Sequence, residues 1–211
     1  MLLPTIEKVL PVPPLLFSKI LTELSIWNFR DKRYENFNFY FKKHYVKGYK
    51  VNELSKSSNT EIPSFLNETV GWIQSIIGDH YIPAQAMLNL IMPNQRFPIH
   101  IDSFRFHQVA RRYHICLDNS EIEYHFYVND KIITEYMNTG NLYFFNNLVP
   151  HGVSNSSLKS RTNLILDMIP KYTDIKSLSD AIPEILQESQ NLQQKFYKDK
   201  ELSKFIKCSI D

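Results

Sequence analysis

Cysteine is scarce in this chain of 211 residues, and so are long apolar runs. The two cysteines, Cys116 and Cys208, lie far apart and no Cys-x-x-Cys pair occurs, so the sequence indicates neither a disulfide framework nor a thiolate zinc site. A reducing, cytoplasmic compartment fits this composition best. No segment approaches the roughly 18 consecutive apolar residues of a membrane-spanning helix, and the N-terminus lacks the basic start of a signal peptide.

An excess of charge of one sign is also lacking. The 24 basic and 22 acidic side chains give a net charge of +2, which is too balanced to indicate a nucleic acid or an anionic membrane as partner. The hydrophobic fraction of 43% is enough for a real core and excludes a disordered chain, a collagen and a coiled coil. We therefore predict a protein that folds by itself, with oligomeric state left open.

The pattern of apolar residues divides the chain into three parts without a linker, so we predict one domain over 1–211. Apolar residues at helical spacing predict helices over 17–27 and from Pro63 to Gly78. The stretch 28–58 reads as irregular structure with one or two edge strands. The parts are an N-terminal helical and irregular support over 1–80, a β core over 81–170 and a C-terminal helical tail over 171–211.

Short apolar and aromatic runs separated by turn residues are typical of an all-β sandwich or barrel. The fold class is therefore mainly β with flanking helices. Asn129-Asp130 and Thr139-Gly140 mark hairpin turns. The predicted strands are 84–92, 97–102, 111–117, 122–128, 131–137, 141–146 and 161–169.

His100 and Asp102 are two residues apart in a strand-like run, so both side chains point the same way. A third ligand candidate, His151, lies on a separate strand or its lip. Two histidines and a carboxylate in this order have the composition of the facial triad of non-heme Fe(II) oxygenases, which leaves metal positions open for a cosubstrate and for oxygen. We interpret these three residues as a metal site that also carries the catalysis.

Arginines near this site are candidates for anion binding. Arg161 lies ten residues after His151, at the start of the last β run, and its planar fork suits a carboxylate. Arg112 and His114 share one strand face by alternation and form a second candidate clamp.

The ordered motifs resemble those of the aspartyl/asparaginyl β-hydroxylase family. The motifs are Asn89 to Pro93, His-x-Asp over 100–102, Arg-x-His over 112–114, Phe145 to Asn155, and Arg161 to Asp167. The resemblance implies a double-stranded β-helix (a jelly roll, as in cupins) that uses Fe(II), the cosubstrate 2-oxoglutarate and O2.

Family roles can be carried onto matching positions of this chain. The resemblance makes His100 and His151 iron ligands and Arg161 the partner of a 2-oxoglutarate carboxylate. It also places Arg112, His114 and Asn89 near the cosubstrate.

Two departures from the family pattern bear on the substrate and on the site. Because the chain retains Asp102, it resembles the branch of the family that includes hydroxylases of free amino acids such as proline. The family's Pro-Gly turn is Pro93-Asn94 here, and asparagine tolerates left-handed backbone angles. The loop 103–111 is longer than usual and borders the metal, so Arg105 and His107 are candidates for substrate contact.

The leading hypothesis is a dioxygenase that hydroxylates an unactivated carbon of an amino acid, with succinate and CO2 as coproducts. The substrate is a free amino acid, or an Asp, Asn or other side chain in a peptide or protein. The alternative is a non-oxidative, cupin-like metal- or anion-binding module. Such a module has no need of Arg161, and the chain lacks the His-x-His motif of cupins and has only five glycines.

Overall fold

A computed structural model describes residues 5–26, 37–40, 64–102, 107, 109–118, 121–172, 183–199 and 202. The elements are β1 (Ile6–Pro11), α1 (Pro14–Ile26), β2 (Phe37–Tyr40), α2 (Ser64–Ile77), β3 (Tyr81–Ile91), β4 (Arg96–His100), β5 (Arg111–Cys116), β6 (Ile122–Val128), β7 (Lys131–Glu135), β8 (Asn141–Phe145), β9 (His151–Asn155), β10 (Arg161–Pro170) and α3 (Pro183–Lys198). None of the helices in these ranges is long and apolar enough to cross a membrane.

Two antiparallel sheets form the body of the fold. The larger has the order β1-β8-β5-β10-β3-β2 and the smaller the order β4-β9-β6-β7. From β3 onward the chain passes repeatedly between the two sheets, which gives each sheet four strands of a double-stranded β-helix. The predicted jelly-roll fold class is confirmed. The strands β3 to β10 span 81–170, while the division of the chain into three parts stays a prediction.

The larger sheet has an apolar outer face and a polar inner face because side chains alternate along each strand. On β10, Leu164, Leu166 and Met168 join the core cluster that also contains residues of α1 and α2. The odd-numbered residues Arg161, Asn163 and Ile165 of the same strand line a cavity on the other face. The two helices thus cover one face of the sheet and leave the other for a site between the sheets.

The helix α3 packs against the smaller sheet. Phe196 is 1% exposed and contacts a cluster around Ile99 of β4, Tyr127 of β6 and Ile132 of β7. Lys195 adds an ion pair with Asp130 at 2.6 Å. The tail is therefore attached next to the strand that carries His100; of the rest of 171–211, only 171–172, Asp199 and Leu202 are described.

Turn chemistry agrees with the sequence. Asn129 and Asp130 both have positive φ, 50° and 61°, as a tight hairpin requires, and Asn94 has a φ of 59°. Gly78 ends α2 with a φ of 97°, whereas the predicted start at Pro63 lies outside the described residues. Gly140 also adopts a positive φ in its turn.

Two strands were missing from the predicted set. The strand β1 contains a proline and β9 contains Gly152 and polar residues, so neither shows a clear alternation of apolar residues. The helix α1 begins at Pro14, three residues earlier than expected, and β4 ends at His100 rather than at Asp102. Of the stretch 28–58, only β2 is described, and it is an edge strand as predicted.

Candidate active site

The three predicted ligands come together where β4 runs beside β9. His100 and His151 are direct cross-strand partners, and Asp102 follows two residues after the end of β4. One potential ligand atom from each residue lies within 4.8 Å of the others. Nε2 of His100 is 3.5 Å from Asp102 Oδ1, and Nε2 of His151 is 4.0 Å from Asp102 Oδ2. This cluster has the size and donor set of a metal site.

Hydrogen bonds fix which nitrogen of each histidine faces the cluster. Nδ1 of His100 donates to the Pro98 carbonyl at 2.9 Å, and Nδ1 of His151 donates to the Val149 carbonyl at 2.8 Å. A carbonyl can only accept, so each Nδ1 carries a proton. In the neutral rings Nε2 then presents its lone pair, which is the arrangement that orients metal-binding histidines.

The charges in the cluster also favour a cation. Burial, together with His100, lowers the pKa of His151 to about 3, so this imidazole is neutral. Burial alone would raise the pKa of Asp102, but Arg112 and the histidines outweigh it and hold that pKa far below its usual range. Burial would lower the pKa of His100, but the neighbouring Asp102 outweighs it and raises this pKa. A metal ion at the cluster would replace the proton that Asp102 favours on His100.

Gly152 allows β4 and β9 to approach closely beside the two histidines. A Cβ atom at this position would lie 2.8 Å from the Phe97 carbonyl oxygen and 3.0 Å from the backbone nitrogen of Ile99. Such contacts are too short for a side chain, so the strands would have to separate. The His-Gly sequence therefore serves the geometry of the cluster.

A cavity of about 360 Å³ extends from the three ligands into the space between the sheets. Its walls come mainly from alternate residues of β3, β5 and β10, the strands whose opposite face packs on the helices. The lining residues are Gln85, Met87, Asn89, Ile91, Phe97, His100, Asp102, His107, Arg112, His114, Tyr124, Phe145, His151, Gly152, Val153, Arg161, Asn163 and Ile165.

Arg161 is a buried cation whose donors are largely unused. It is 1% exposed, and among the described residues neither Nε nor Nη1 has a hydrogen-bond partner. Nη2 lies 3.9 Å from the sulfur of Met137, and the guanidinium lies 4.7 Å from the centre of the Tyr124 ring. An unpaired buried charge is costly, so this position favours an anionic ligand that enters the cavity.

Tyr124, Asn163 and His114 form a hydrogen-bonded row in the same cavity. Asn163 Nδ2 donates to the Tyr124 hydroxyl at 2.7 Å and lies 3.2 Å from Nδ1 of His114. Burial, followed by Arg112 and Arg161, lowers the pKa of His114 well below its ordinary value. Neutral His114 then accepts at Nδ1 and carries its proton on Nε2, which has no partner in the part of the chain that the structure describes. A second donor is therefore unused in the cavity.

The sequence reasoning missed Tyr124 and Asn163. Alternation along β10 could have found Asn163, which lies two residues after Arg161 on the same face. Tyr124 belongs to a strand, β6, that was predicted with its correct bounds, but its sequence carries no sign of its contact with Arg161. That contact follows from the stacking of the two sheets.

Arg112 lines the cavity, but the structure gives it other partners than the expected cosubstrate. Nε and Nη2 bind the two carboxylate oxygens of Asp167 at 2.8 and 3.0 Å, and Nη1 donates to Asp102 Oδ2. Nη2 also lies 3.0 Å from His107 Nε2. The guanidinium is thus bound by two carboxylates of the chain itself, and its predicted contact with the cosubstrate stays a prediction. The sequence could not reveal the contact with Asp167 because Asp167 is 55 residues away.

Two further predicted residues, Asn89 and His107, line the cavity. Asn89 is on β3, directly opposite Asn163 of β10, and lines the wall. His107 is 6% exposed and touches Arg112. Arg105 lies outside the described residues.

The family model of the aspartyl/asparaginyl β-hydroxylases matches residues 17–170, which is most of the chain. The chain belongs to the aspartyl/asparaginyl β-hydroxylase family. This membership confirms the predicted resemblance and the class of enzyme, a hydroxylase of the Fe(II)- and 2-oxoglutarate-dependent oxygenases, which use O2. The matched segment contains every predicted site residue of this hydroxylase. Among curated proteins, none matches the chain.

Solved structures agree with the hydroxylase at the level of the fold. A prolyl-4-hydroxylase from Pseudomonas putida superposes with a TM-score of 0.54 at 11% identity, over 79% of this chain and 92% of that protein. The non-heme monooxygenase ThoJ in its apo form also gives a TM-score of 0.54 at 11% identity, over 84% of this chain and 76% of that protein. At such low identity the likeness concerns the jelly-roll architecture.

Proposed function

We propose that this hydroxylase holds Fe(II) with His100, Asp102 and His151 and binds the distal carboxylate of 2-oxoglutarate with Arg161. The observation that carries this proposal is the pairing of two features in one cavity. A cluster of three ligand side chains lies on its wall, and a buried arginine with unused donors lines the same space. A metal and a dicarboxylic acid together would satisfy both.

The residues of the chain suit this chemistry. Iron with 2-oxoglutarate and O2 supplies the oxidant that hydroxylates a carbon, while 2-oxoglutarate is converted to succinate and CO2. His100 and His151 offer Nε2 because their Nδ1 protons are held by backbone carbonyls. Arg161 orients the cosubstrate, and the Nε2 proton of His114 offers a further hydrogen bond to a carboxylate. The cavity walls exclude water and fix the target relative to the metal.

The substrate that we propose is an amino acid, either free, such as proline, or as an Asp, Asn or other side chain in a peptide or protein. This proposal is supported by membership of the aspartyl/asparaginyl β-hydroxylase family and by the retained carboxylate Asp102. We propose a reducing compartment such as the cytoplasm, because Cys116 is a buried free thiol.

An anaerobic titration tests the proposed site without knowledge of the substrate. Fe(II) followed by 2-oxoglutarate is added to metal-free protein, and we expect the weak visible charge-transfer band that keto-acid chelation to iron produces. His151→Ala should abolish the band, whereas the matched control His80→Ala, an exposed histidine outside the site, should keep it.

Two results would contradict the proposal. Absence of Fe(II) binding by the wild-type protein would remove the metal site altogether. Iron binding without the band would mean that 2-oxoglutarate does not chelate the metal, and a non-oxidative, cupin-like binding module would then be the better description.

A further inference from the structure

We propose that Arg112 and Asp167 are positioning residues that hold the carboxylate of Asp102 in place as the third metal ligand. The inference rests on the proposed function, because it assigns these two residues to the same metal site. It departs from the role that the family resemblance implies for Arg112, which is contact with 2-oxoglutarate.

The first step of the argument concerns Asp102 itself. Both histidines lie within strands, where the β4–β9 pairing fixes them opposite each other. Asp102 lies two residues after the end of β4, and the described β4–β9 pairing does not include it. A ligand in this position needs its side chain to be held by other contacts if the three donors are to keep their geometry.

The contact that holds it comes from Arg112. Nη1 of Arg112 donates to Asp102 Oδ2, while Asp102 Oδ1 lies 3.5 Å from Nε2 of His100. One carboxylate oxygen is thus bound by the arginine and the other is directed toward the histidine. Carboxylate ligands of metals are commonly oriented by a hydrogen bond of this kind, and loss of such a partner typically costs about 10–100-fold in metal affinity.

Asp167 in turn fixes Arg112. The two residues are cross-strand partners on β10 and β5, and the carboxylate takes Nε and Nη2 of the guanidinium in a two-point contact at 2.8 and 3.0 Å. Asp167 is 1% exposed, and Arg112 outweighs the effect of burial to lower the pKa of Asp167 to about 2. The pair therefore stays charged and anchors the guanidinium to the central strands of the larger sheet.

The count of donors argues against a cosubstrate role for Arg112. An arginine has five N–H groups. One on Nη1 binds Asp102, two bind Asp167, and the second on Nη2 is directed at Nε2 of His107. His107 is itself held by Asn147, whose Nδ2 donates to its carbonyl at 3.1 Å. Contact of this arginine with a 2-oxoglutarate carboxylate by two N–H groups would break at least one of these bonds.

The test measures metal affinity in the absence of 2-oxoglutarate, with Co(II) as the probe under anaerobic conditions. The variants are Asp167→Asn, which nearly preserves shape, and Arg112→Lys, which preserves charge but loses the fork. Each should bind Co(II) about 10–100-fold more weakly than the wild type, with an altered visible Co(II) spectrum. The matched control is Asp118→Asn, since the Asp118 carboxylate accepts from the Thr162 backbone at 2.9 Å and does not line the cavity.

A double-mutant cycle separates positioning from general destabilisation. In an Asp102→Ala background, the further change Asp167→Asn should leave Co(II) affinity unchanged, because the residue it acts through is gone. For each protein the difference in melting temperature between metal-loaded and metal-free forms gives a second measure of affinity. If Asp167→Asn does not fold, the same cycle with Arg112→Lys decides the question.

Three outcomes would overturn this inference alone. Co(II) affinity within twofold of wild type in both single variants would mean that the contact to Asp102 has no effect on the metal. An equal loss of affinity in the Asp102→Ala background would mean that the effect is not transmitted by Asp102. Loss of 2-oxoglutarate affinity at unchanged metal affinity would return Arg112 to the cosubstrate and leave the proposed function intact. By contrast, a wild-type protein that binds no metal would overturn both.

Discussion

Two arginines line the same cavity at opposite ends of β10. Arg161 begins this strand, and Arg112 of the neighbouring strand β5 lies opposite Asp167, near its other end. Arg112 is 5% exposed and Arg161 is 1% exposed, so burial does not distinguish them. Arg112 has a carboxylate on each side, Asp167 and Asp102. Arg161 has two nitrogens without partners among the described residues and an aromatic ring against its face.

The difference shows how the partners of a buried charge separate structure from ligand binding. A cation that already has two carboxylates needs no ligand, and its removal leaves buried anions behind. A buried cation with unused donors suits an anionic ligand that enters the cavity. Under our proposals, the same residue type, equally buried, supports the metal site at one end of the cavity and binds the cosubstrate at the other.

The largest expected effect is on the free energy of unfolding, and it differs between the two arginines. Arg112→Met leaves two buried carboxylates without a counter-charge, so we expect the free energy of unfolding to fall by about 3–5 kcal/mol. Arg161→Met removes a poorly satisfied buried charge and should leave the free energy of unfolding unchanged or raise it by about 1–4 kcal/mol. Urea unfolding of the metal-free proteins measures both. Equal losses in the two variants would refute the comparison.

The next effect concerns cosubstrate affinity. Arg161→Ala should weaken 2-oxoglutarate binding by about 2–5 kcal/mol, which is roughly 30-fold or more, while Fe(II) affinity stays near that of the wild type. Anaerobic calorimetry of the iron-loaded protein gives the first number, and titration of the metal-free protein gives the second. Arg161→Lys is the matched variant, because it keeps the charge and loses the planar fork. Unchanged 2-oxoglutarate affinity in Arg161→Ala would show that the cosubstrate is held elsewhere.

The smallest effect is the contribution of His114 to the pH dependence of the free energy of unfolding. The pKa of His114 is lowered by burial and then by Arg112 and Arg161, so between the folded and unfolded pKa values the unfolded chain binds more protons. Stability must then rise with pH, and it should fall as the pH drops below about 6.5. His114→Gln should reduce this slope by up to about 1.4 kcal/mol per pH unit. Urea unfolding between pH 7.5 and 5.5 is the measurement, and an equal slope in wild type and variant would contradict it.

The sequence predicted the features that depend on local pattern. The alternation of β5 predicted that Arg112 and His114 share one face, and Asn129-Asp130 predicted a hairpin turn that the structure contains. The His-x-Asp spacing also predicted that His100 and Asp102 lie close together, although β4 ends at His100. These features depend on neighbours in sequence, so spacing alone was sufficient.

Features that depend on distant partners could not be predicted in this way. Arg112 and Arg161 looked equivalent in the sequence, because the residues that distinguish them come from elsewhere in the chain. Asp167 binds Arg112 across the β5–β10 pair, and Tyr124 meets Arg161 only where the two sheets stack. The strand β9 was missed because its glycine serves a close approach to β4 instead of contributing an apolar side chain.

The central position of β10 has a consequence for folding kinetics. This strand is the last of the β-helix to be synthesised, yet it lies between β5 and β3 and pairs with residues as distant as Tyr81, opposite Pro170. Contacts of such high sequence separation form slowly. Until β10 is inserted, Arg112 lacks Asp167 and the cavity lacks Arg161, so a partly folded chain lacks two contacts of the proposed site. Metal and cosubstrate should therefore bind after the rate-limiting step and slow unfolding without accelerating folding.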